Sequence, residues 1–484
     1  MTAPSPLPSH PGSPAPALSD TDVVARLAAA LPGQVDDSAQ SRDAMRVDRS
    51  GFAAPDGPLC VVRARSVEDV QAVCRIATDT ATPIVPRGAG TGISGGAVAG
   101  AGSICLDLMG MNRILEVSAA DRVAVVEPGI LNGDLNRALA PHGLWWAPDP
   151  ASKDISSVGG NIALNAGGLL CAKYGVTREA VLGLSVVLAD GTLMELGHRT
   201  VKGVTGYDLT ALMIGSEGTL GIIVGATLSL RPLATDPVAT IGGFFPDVVA
   251  AARASAAITA DGGVPAIMEL LDEASLDAIR RYTLHLGEDA SALPESGAYL
   301  LVQADGPGAA REGERFAELM RGAGGDVVLT LDPEHADRLV ALRRRVFPAL
   351  EHLGTPLVED VAVPRSRMPE MFARIREIEA ETGVFIPTSA HAGDGNLHPI
   401  PVFGQAGAVG ATEGIPDDVW DAVARVFRAA LELGGTLTGE HGVGLLKRAF
   451  LREELGDDQY ALQQRIKAAF DPQGLLNPGK VFTA

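Results

Sequence analysis

Between Arg87 and Gly221 glycine is gathered into three blocks, and a chain punctuated in this way has to wrap bare backbone closely around something. The first block is Pro86-Arg87-Gly88-Ala89-Gly90-Thr91-Gly92-Ile93-Ser94-Gly95-Gly96. Its glycines allow positive φ and let a ligand approach naked N–H groups. Successive N–H groups pointing inward form an anion nest, and Thr91 and Ser94 add hydroxyl donors. No Gly-Lys-Ser/Thr follows, so the block is not a Walker A loop. Gly88-x-Gly90-x-x-Ile93 fails the dinucleotide fingerprint at its third position, which argues against NAD. The second block is Pro148-Asp149-Pro150 followed by Val158-Gly159-Gly160-Asn161-Ile162-Ala163-Leu164-Asn165-Ala166-Gly167-Gly168. Amides alternating with small residues suit packing around a flat polar ring system. The third runs from Lys202 to Leu209 and from Gly215 through Glu217 to Gly221 and Ile222. Surface turns would account for any one block, whereas three in one stretch point to a cradle for a phosphorylated cofactor.

Around the blocks the pattern alternates strands and helices. Leu59–Arg63 reads as a strand, Ser66 caps a helix with Asp69 completing a capping box, and Pro83–Pro86 reads as a second strand. This βαβ rhythm implies an α/β layer. After Pro232 the texture changes to amphipathic helices at Asp247–Thr259, Ala309–Arg321 and Met368–Thr382, with Tyr299–Val302 as a strand between them. Pro232 and Pro237 flank a linker. The expected organisation is a tail of Pro, Ser and Ala at 1–18 that reads as disordered, a cofactor domain at 55–233, a substrate or cap domain at 234–440, and a C-terminal segment at 441–484.

Composition narrows the function classes. The 484 residues carry 39 basic and 59 acidic side chains, a net charge of −20, and such a surface repels nucleic acid and anionic membranes. With 46% hydrophobic and 20% charged residues the chain is not disordered throughout. No apolar stretch approaches the roughly 18 residues of a spanning helix. Cys60, Cys74, Cys105 and Cys171 form neither a CxxC pair nor a disulfide framework. A reduced, soluble, cytoplasmic protein is expected, with peripheral association at a membrane left open.

The late half brings the chemistry. His391-Ala392-Gly393-Asp394-Gly395-Asn396-Leu397-His398 places two imidazoles across a Gly-rich bend, and a strand–turn–strand arrangement would bring them together. Gly439-Glu440-His441-Gly442-Val443-Gly444 adds a carboxylate and a third imidazole. The chain has nine histidines, and three of them fall in these two motifs, which favours a site over structural histidines. Two His and one carboxylate with an open position suit a divalent metal, and N/O ligands fit Zn, Mn or Fe. A neutral imidazole can accept a proton near working pH. Adjacent residues of an extended segment point apart, so a turn at Gly439 or Gly442 must let Glu440 and His441 share one site. Arg343-Arg344-Arg345 in a helix expected at Pro333–Phe347 offers a guanidinium fork for a carboxylate.

The order of these motifs from about Leu59 to Val481 resembles the FAD-linked D-2-hydroxy-acid dehydrogenases of the vanillyl-alcohol-oxidase superfamily. The resemblance implies an α+β fold: a two-subdomain PCMH-type FAD-binding domain, an α/β substrate (cap) domain and a C-terminal helical segment. It implies that Arg87, Gly88, Ala89, Gly90, Thr91, Gly92, Ser94, Gly95 and Gly96 hold the FAD pyrophosphate. Pro148, Asp149, Gly159, Gly160, Asn161, Asn165, Ala166, Gly167, Gly168, Glu217, Gly221 and Ile222 would line adenine, ribose and isoalloxazine. The ending Asn477-Pro478-Gly479-Lys480 implies a return of the chain to the flavin, with Asn477 at the cofactor. The first block has no His or Cys, so FAD is expected to be non-covalent, with Cys171 as a reservation.

The same resemblance implies His391, His398 and Glu440 as metal ligands, His441 as the catalytic base and Arg343 as the clamp on the substrate carboxylate. Relatives acting on 2-hydroxyglutarate carry Thr and Lys contacts where Phe347 and Val358 stand here, which favours a small monocarboxylate, D-lactate or glycolate. The partners implied are that 2-hydroxy acid and an electron acceptor that could be a quinone, a cytochrome or an electron-transfer flavoprotein, with a homodimer left open. The rivals are a non-catalytic FAD-holding subunit and an O2-using alcohol or lactone oxidase. Trp145-Trp146 read as core or as a flavin wall, Tyr207 as packing or a cofactor contact, and Asp394 and Asn396 as caps of the bend or as supports for the imidazoles.

Overall fold

The computed structural model describes residues 19–404 and 415–483, so the tail expected at 1–18 lies outside the described residues. The early half holds two sheets. In the first, Cys60–Arg63 and Ile84–Arg87 both run parallel to Ile104–Asp107, which lies between them, and the helix Val67–Thr80 makes the crossover. This is the expected βαβ unit. Ser66 caps the helix by accepting from Asp69 N at 3.3 Å, but the Asp69 carboxylate reaches Arg65 N at 2.9 Å instead of closing the box on Ser66.

The second sheet is antiparallel, in the order Ile114–Ser118, Val123–Val126, Ile222–Ser229, Val181–Val187, Leu193–Gly197. Val187, Ile222 and Val224 of this sheet share one core with Cys60, Val62, Ile84 and Ile104 of the first, so the two sheets are packed together. The first glycine block follows Ile84–Arg87 and the third leads into Ile222–Ser229, while much of the second forms the short helix Val158–Leu164. Trp146 is fully buried, with Nε1 donating to Ala180 O, which is core packing. Trp145 donates to Pro232 O, while Tyr207 is 94% exposed and does not line the cofactor cleft.

The later half is built on a seven-stranded antiparallel sheet. Its order is Asp326–Thr330, Ala239–Phe245, Ala298–Ala304, Ile267–Leu271, Thr388–His391, Asn396–Pro399, Val361–Ala362. Strand alternation decides what each face carries. Leu300 and Val302 pack under the helices Val248–Ala260, Ala309–Gly322, Met368–Thr382 and Asp417–Glu432, while Tyr299 and Leu301 pack against Glu273–His285 and Val346–Leu353. The single helix expected at Pro333–Phe347 is two helices, Pro333–Arg344 and Val346–Leu353, broken at Arg345. Pro348 has no N–H to offer Arg344 O four residues back, so the helix restarts with proline in its first turn.

The two halves are fastened to each other. Lys173 pairs with Asp305, and Tyr174 Oη donates to the other Asp305 oxygen at 2.5 Å. At the C-terminus Leu476 bridges to Ile84, the strand that leads into the first glycine block.

Candidate active site

A cleft of 490 Å³ is lined by all three glycine blocks, by Phe347, Pro356, Leu357 and Val358 of the later half, and by Glu440, His441 and Asn477. That size is ordinary for a small-molecule site, roughly 300–1,000 Å³. Arg87, Gly88, Ala89, Gly90, Thr91, Gly92, Ser94 and Gly96 line it, as do Gly159, Gly160, Asn161, Ala166, Gly167, Glu217, Gly221 and Ile222. Five residues expected at the cofactor stand behind the wall instead. Gly95 backs onto Leu445, Pro148 O accepts from Asn132, Asp149 takes Leu170 N at 3.0 Å, Asn165 takes Arg178 N at 2.9 Å, and Gly168 packs on Asp149. Asp149 and Asn165 brace the second block, because backbone this rich in glycine needs side-chain acceptors to hold its shape.

At one end of the cleft the histidines converge. Thr388–His391 and Asn396–Pro399 form the hairpin anticipated from the Gly-rich bend, in the register Ser389↔His398 and His391↔Asn396. The rings of His391 and His398 meet edge to face at 4.9 Å, and His398 stacks on His441 at 5.1 Å. All three Nε2 atoms point at one oxygen, Glu440 Oε1, at 3.4 Å for His391, 3.3 Å for His398 and 3.5 Å for His441. Burial opposes charge on these groups. At Glu440 the imidazoles, His391 foremost, overcome it and hold the carboxyl well below its usual range. At His398 burial, helped by charged His391, wins over the Glu440 carboxylate and pushes the imidazole down. A Cβ on Gly167 would stand 2.5 Å from Glu440 Oε2, so the second glycine block has to be bare where it meets this carboxylate.

Three buried acids that the sequence did not reveal as a set hold the cluster in place. Glu269 takes His391 Nδ1 at 2.5 Å and Arg343 Nε at 2.7 Å. Against the cost of burial, the charge of Glu269 raises His391 well above its usual pKa. Arg343 is therefore held at Nε by Glu269, beside the histidine cluster and not among the residues of the cleft wall. Asp360, wholly buried, accepts from the N–H groups of Gly439, Glu440 and His441 at 3.0, 3.2 and 3.1 Å, and from Thr438 Oγ1 and Asn396 Nδ2 at 2.5 Å. Three consecutive N–H groups on one carboxylate curl this segment, which is how adjacent Glu440 and His441 face one site. Asn396 thus supports Asp360 rather than an imidazole, and Asp394 caps the bend through Asn396 N. Lys447, also buried, lies between Asp360 and Glu359 at 3.6 and 3.4 Å.

Glu217 fastens the same loop from the other half. Its oxygens accept from Val443 N at 2.7 Å and Gly444 N at 2.8 Å, and Asn477 Nδ2 donates to its carbonyl at 2.7 Å. Gly444 sits at φ +50 against the Ser94 carbonyl, where no side chain fits. Burial pushes Glu217 up to about 7 from 4.5. The folded chain thus holds this proton more tightly than the unfolded chain, so the stability it contributes is full below pH 4.5 and lost as pH rises through 7. A Glu217→Gln variant keeps an acceptor without titrating. Unfolding free energies from urea titrations across that window should fall more steeply for the parent, by up to about 3 kcal/mol, and parallel curves would contradict this.

Among the described residues, two groups of side chains have metal-ligand atoms within 4.8 Å of one another: His391, His398 and Glu440, and Asp360, His398 and His441. Asp360 already serves five donors, which fills a carboxylate's lone pairs. The first group fits a divalent cation better. Its imidazoles present Nε2 to Glu440, and Glu269 behind His391 is the carboxylate–histidine support usual for metal ligands.

Comparison with known proteins agrees with this arrangement. Residues 58–197 match the model of an FAD binding domain, and residues 236–481 match the C-terminal domain of FAD linked oxidases. The chain is 39% identical over 429 residues to the glycolate oxidase subunit GlcD of Bacillus subtilis, covering 88% of this chain and 89% of that one. It is 34% identical over 454 residues to D-lactate dehydrogenase of Archaeoglobus fulgidus, covering 91% and 95%. The fold is shared with p-cresol methylhydroxylase, at a TM-score of 0.76, 17% identity and coverage of 96% of this chain and 97% of that one. A cleft walled by glycine-rich backbone, a histidine cluster at its end and these full-length similarities lead to one conclusion: the chain belongs to the FAD-linked oxidase family, with the PCMH-type fold, and is an FAD-linked oxidoreductase.

Proposed function

We propose that the protein oxidises a D-2-hydroxy acid to the 2-oxo acid, with a small monocarboxylate such as D-lactate or glycolate as substrate and a divalent cation assisting. The observation that carries this reading is the convergence of three imidazole Nε2 atoms and Glu440 at the end of the FAD cleft. Bound FAD would accept the hydride leaving Cα, and Zn, Mn or Fe held by His391, His398 and Glu440 would supply Lewis-acid stabilisation at the substrate 2-oxygen. His441, which lines the cleft, takes the hydroxyl proton at Nε2. Arg343 keeps its two Nη groups for the substrate carboxylate while Nε stays on Glu269. Phe347, Leu357 and Val358 present an apolar wall, which disfavours a second carboxylate. Turnover would need an electron acceptor for the reduced cofactor, of the quinone, cytochrome or electron-transfer flavoprotein class. The names of the two relatives, a glycolate oxidase subunit and a D-lactate dehydrogenase, support this substrate class.

The local electrostatics support non-covalent FAD. Burial, reinforced by Asp394, Glu440 and Asp149, pushes the Cys171 thiol far above its usual range and leaves it a poor nucleophile.

The test is anaerobic bleaching of the flavin by D- and L-2-hydroxy acids, with and without a chelator. D-isomers should bleach it, and chelation should slow the reaction. Equal bleaching by both enantiomers, indifferent to chelator, would remove the reading.

A further inference from the structure

We propose that Arg49 is a cofactor-binding residue that supplies the positive charge facing the diphosphate of FAD at the first glycine block. The inference rests on FAD occupying the cleft. It concerns a segment that precedes the matched FAD-binding region, which begins at residue 58.

The segment is docked on the first block by its own hydrogen bonds. Met45 O accepts from Ala99 N at 3.0 Å. Asp48, 9% exposed, takes Ala97 N at 3.3 Å on one oxygen and Ser50 N at 2.9 Å on the other. With Asp48 turned in toward the block, Arg49 and Ser50 are left lining the cleft.

Charge then decides the role. The cleft wall contains two arginines, Arg49 and Arg87. Arg87 Nη1 donates to Ala97 O at 2.8 Å and to Met45 O at 3.4 Å, so its fork is turned onto the backbone of the block and the docked segment. Arg87 therefore shapes the cradle. Arg49 is exposed and makes no hydrogen bond or ion pair among the described residues. A backbone nest offers partial dipoles, whereas a diphosphate carries full charges that a planar guanidinium matches in shape and sign. Arg49 is the cation of the cleft wall left over for that purpose, on a short loop already pinned at both ends.

The experiment is titration of the full-length apoprotein with FAD and with riboflavin, which lacks the diphosphate and adenosine, at low and high salt. Arg49→Gln is expected to weaken FAD about tenfold at low salt and to flatten the salt dependence, with riboflavin affinity unchanged. FAD affinity within twofold of the parent, or an equal loss for riboflavin, would overturn the assignment. Failure of the parent itself to take FAD would be a separate result, removing the FAD reading and this inference together.

Discussion

His441→Ala is expected to leave FAD bound and to slow anaerobic flavin reduction on the order of 10²–10⁴-fold, the usual contribution of a positioned base. The substitution is clean because the loop is held by backbone N–H groups, not by the imidazole: Asp360 accepts from His441 N at 3.1 Å whatever side chain stands there. Glu440 keeps its contacts with His391 and His398. The loss should therefore appear in the rate of bleaching at saturating substrate, read by stopped-flow absorbance, with the flavin spectrum before mixing unchanged. Reduction at the parental rate by every 2-hydroxy acid tried would favour a non-catalytic FAD-holding role.

Asp360→Ala should be the most destabilising single change near the site. It strips the partner from Thr438 Oγ1 and from three consecutive N–H groups, takes one of two acceptors from Asn396 Nδ2, and leaves buried Lys447 with Glu359 as its one carboxylate neighbour. Removing one member of a buried ionic network costs about 3–5 kcal/mol. An exposed pair such as Arg367–Glu370 should cost no more than about 1 kcal/mol when broken. Denaturant unfolding of the two variants side by side checks the contrast. A loss under about 1 kcal/mol at Asp360 would mean that water takes over its bonds.

Much of this architecture was legible in the chain because its signals are local. Met368–Thr382 was read to the residue, since its apolar spacing and the Gly383 stop lie within one window. The histidine hairpin was legible because the bend between its strands is Ala392-Gly393-Asp394-Gly395. Most of the first glycine block lines the cleft for the same reason.

What stayed hidden depends on distance along the chain. Glu269 meets Arg343 across 74 residues and Asp360 meets Glu440 across 80, and each acid looks like any other polar residue in its own neighbourhood. The Glu269 partner of Arg343 stayed hidden because it lies on a strand that nothing near Arg343 in sequence announces. Arg49 escaped notice because the segment that carries it has no glycine pattern and is placed only by Asp48 reaching Ala97. The break at Arg345 was the exception, since Pro348 was visible and its missing donor already forbade a continuous helix.

One feature of the build limits how the enzyme can work. Residues 438–444 are gripped by Asp360 of the later half and by Glu217 of the early half, only a few residues apart. A clamshell motion that swung the halves apart would tear His441 from its seat on every turnover. Reactants must instead come and go through a standing doorway, so turnover should be insensitive to solvent viscosity beyond simple diffusion.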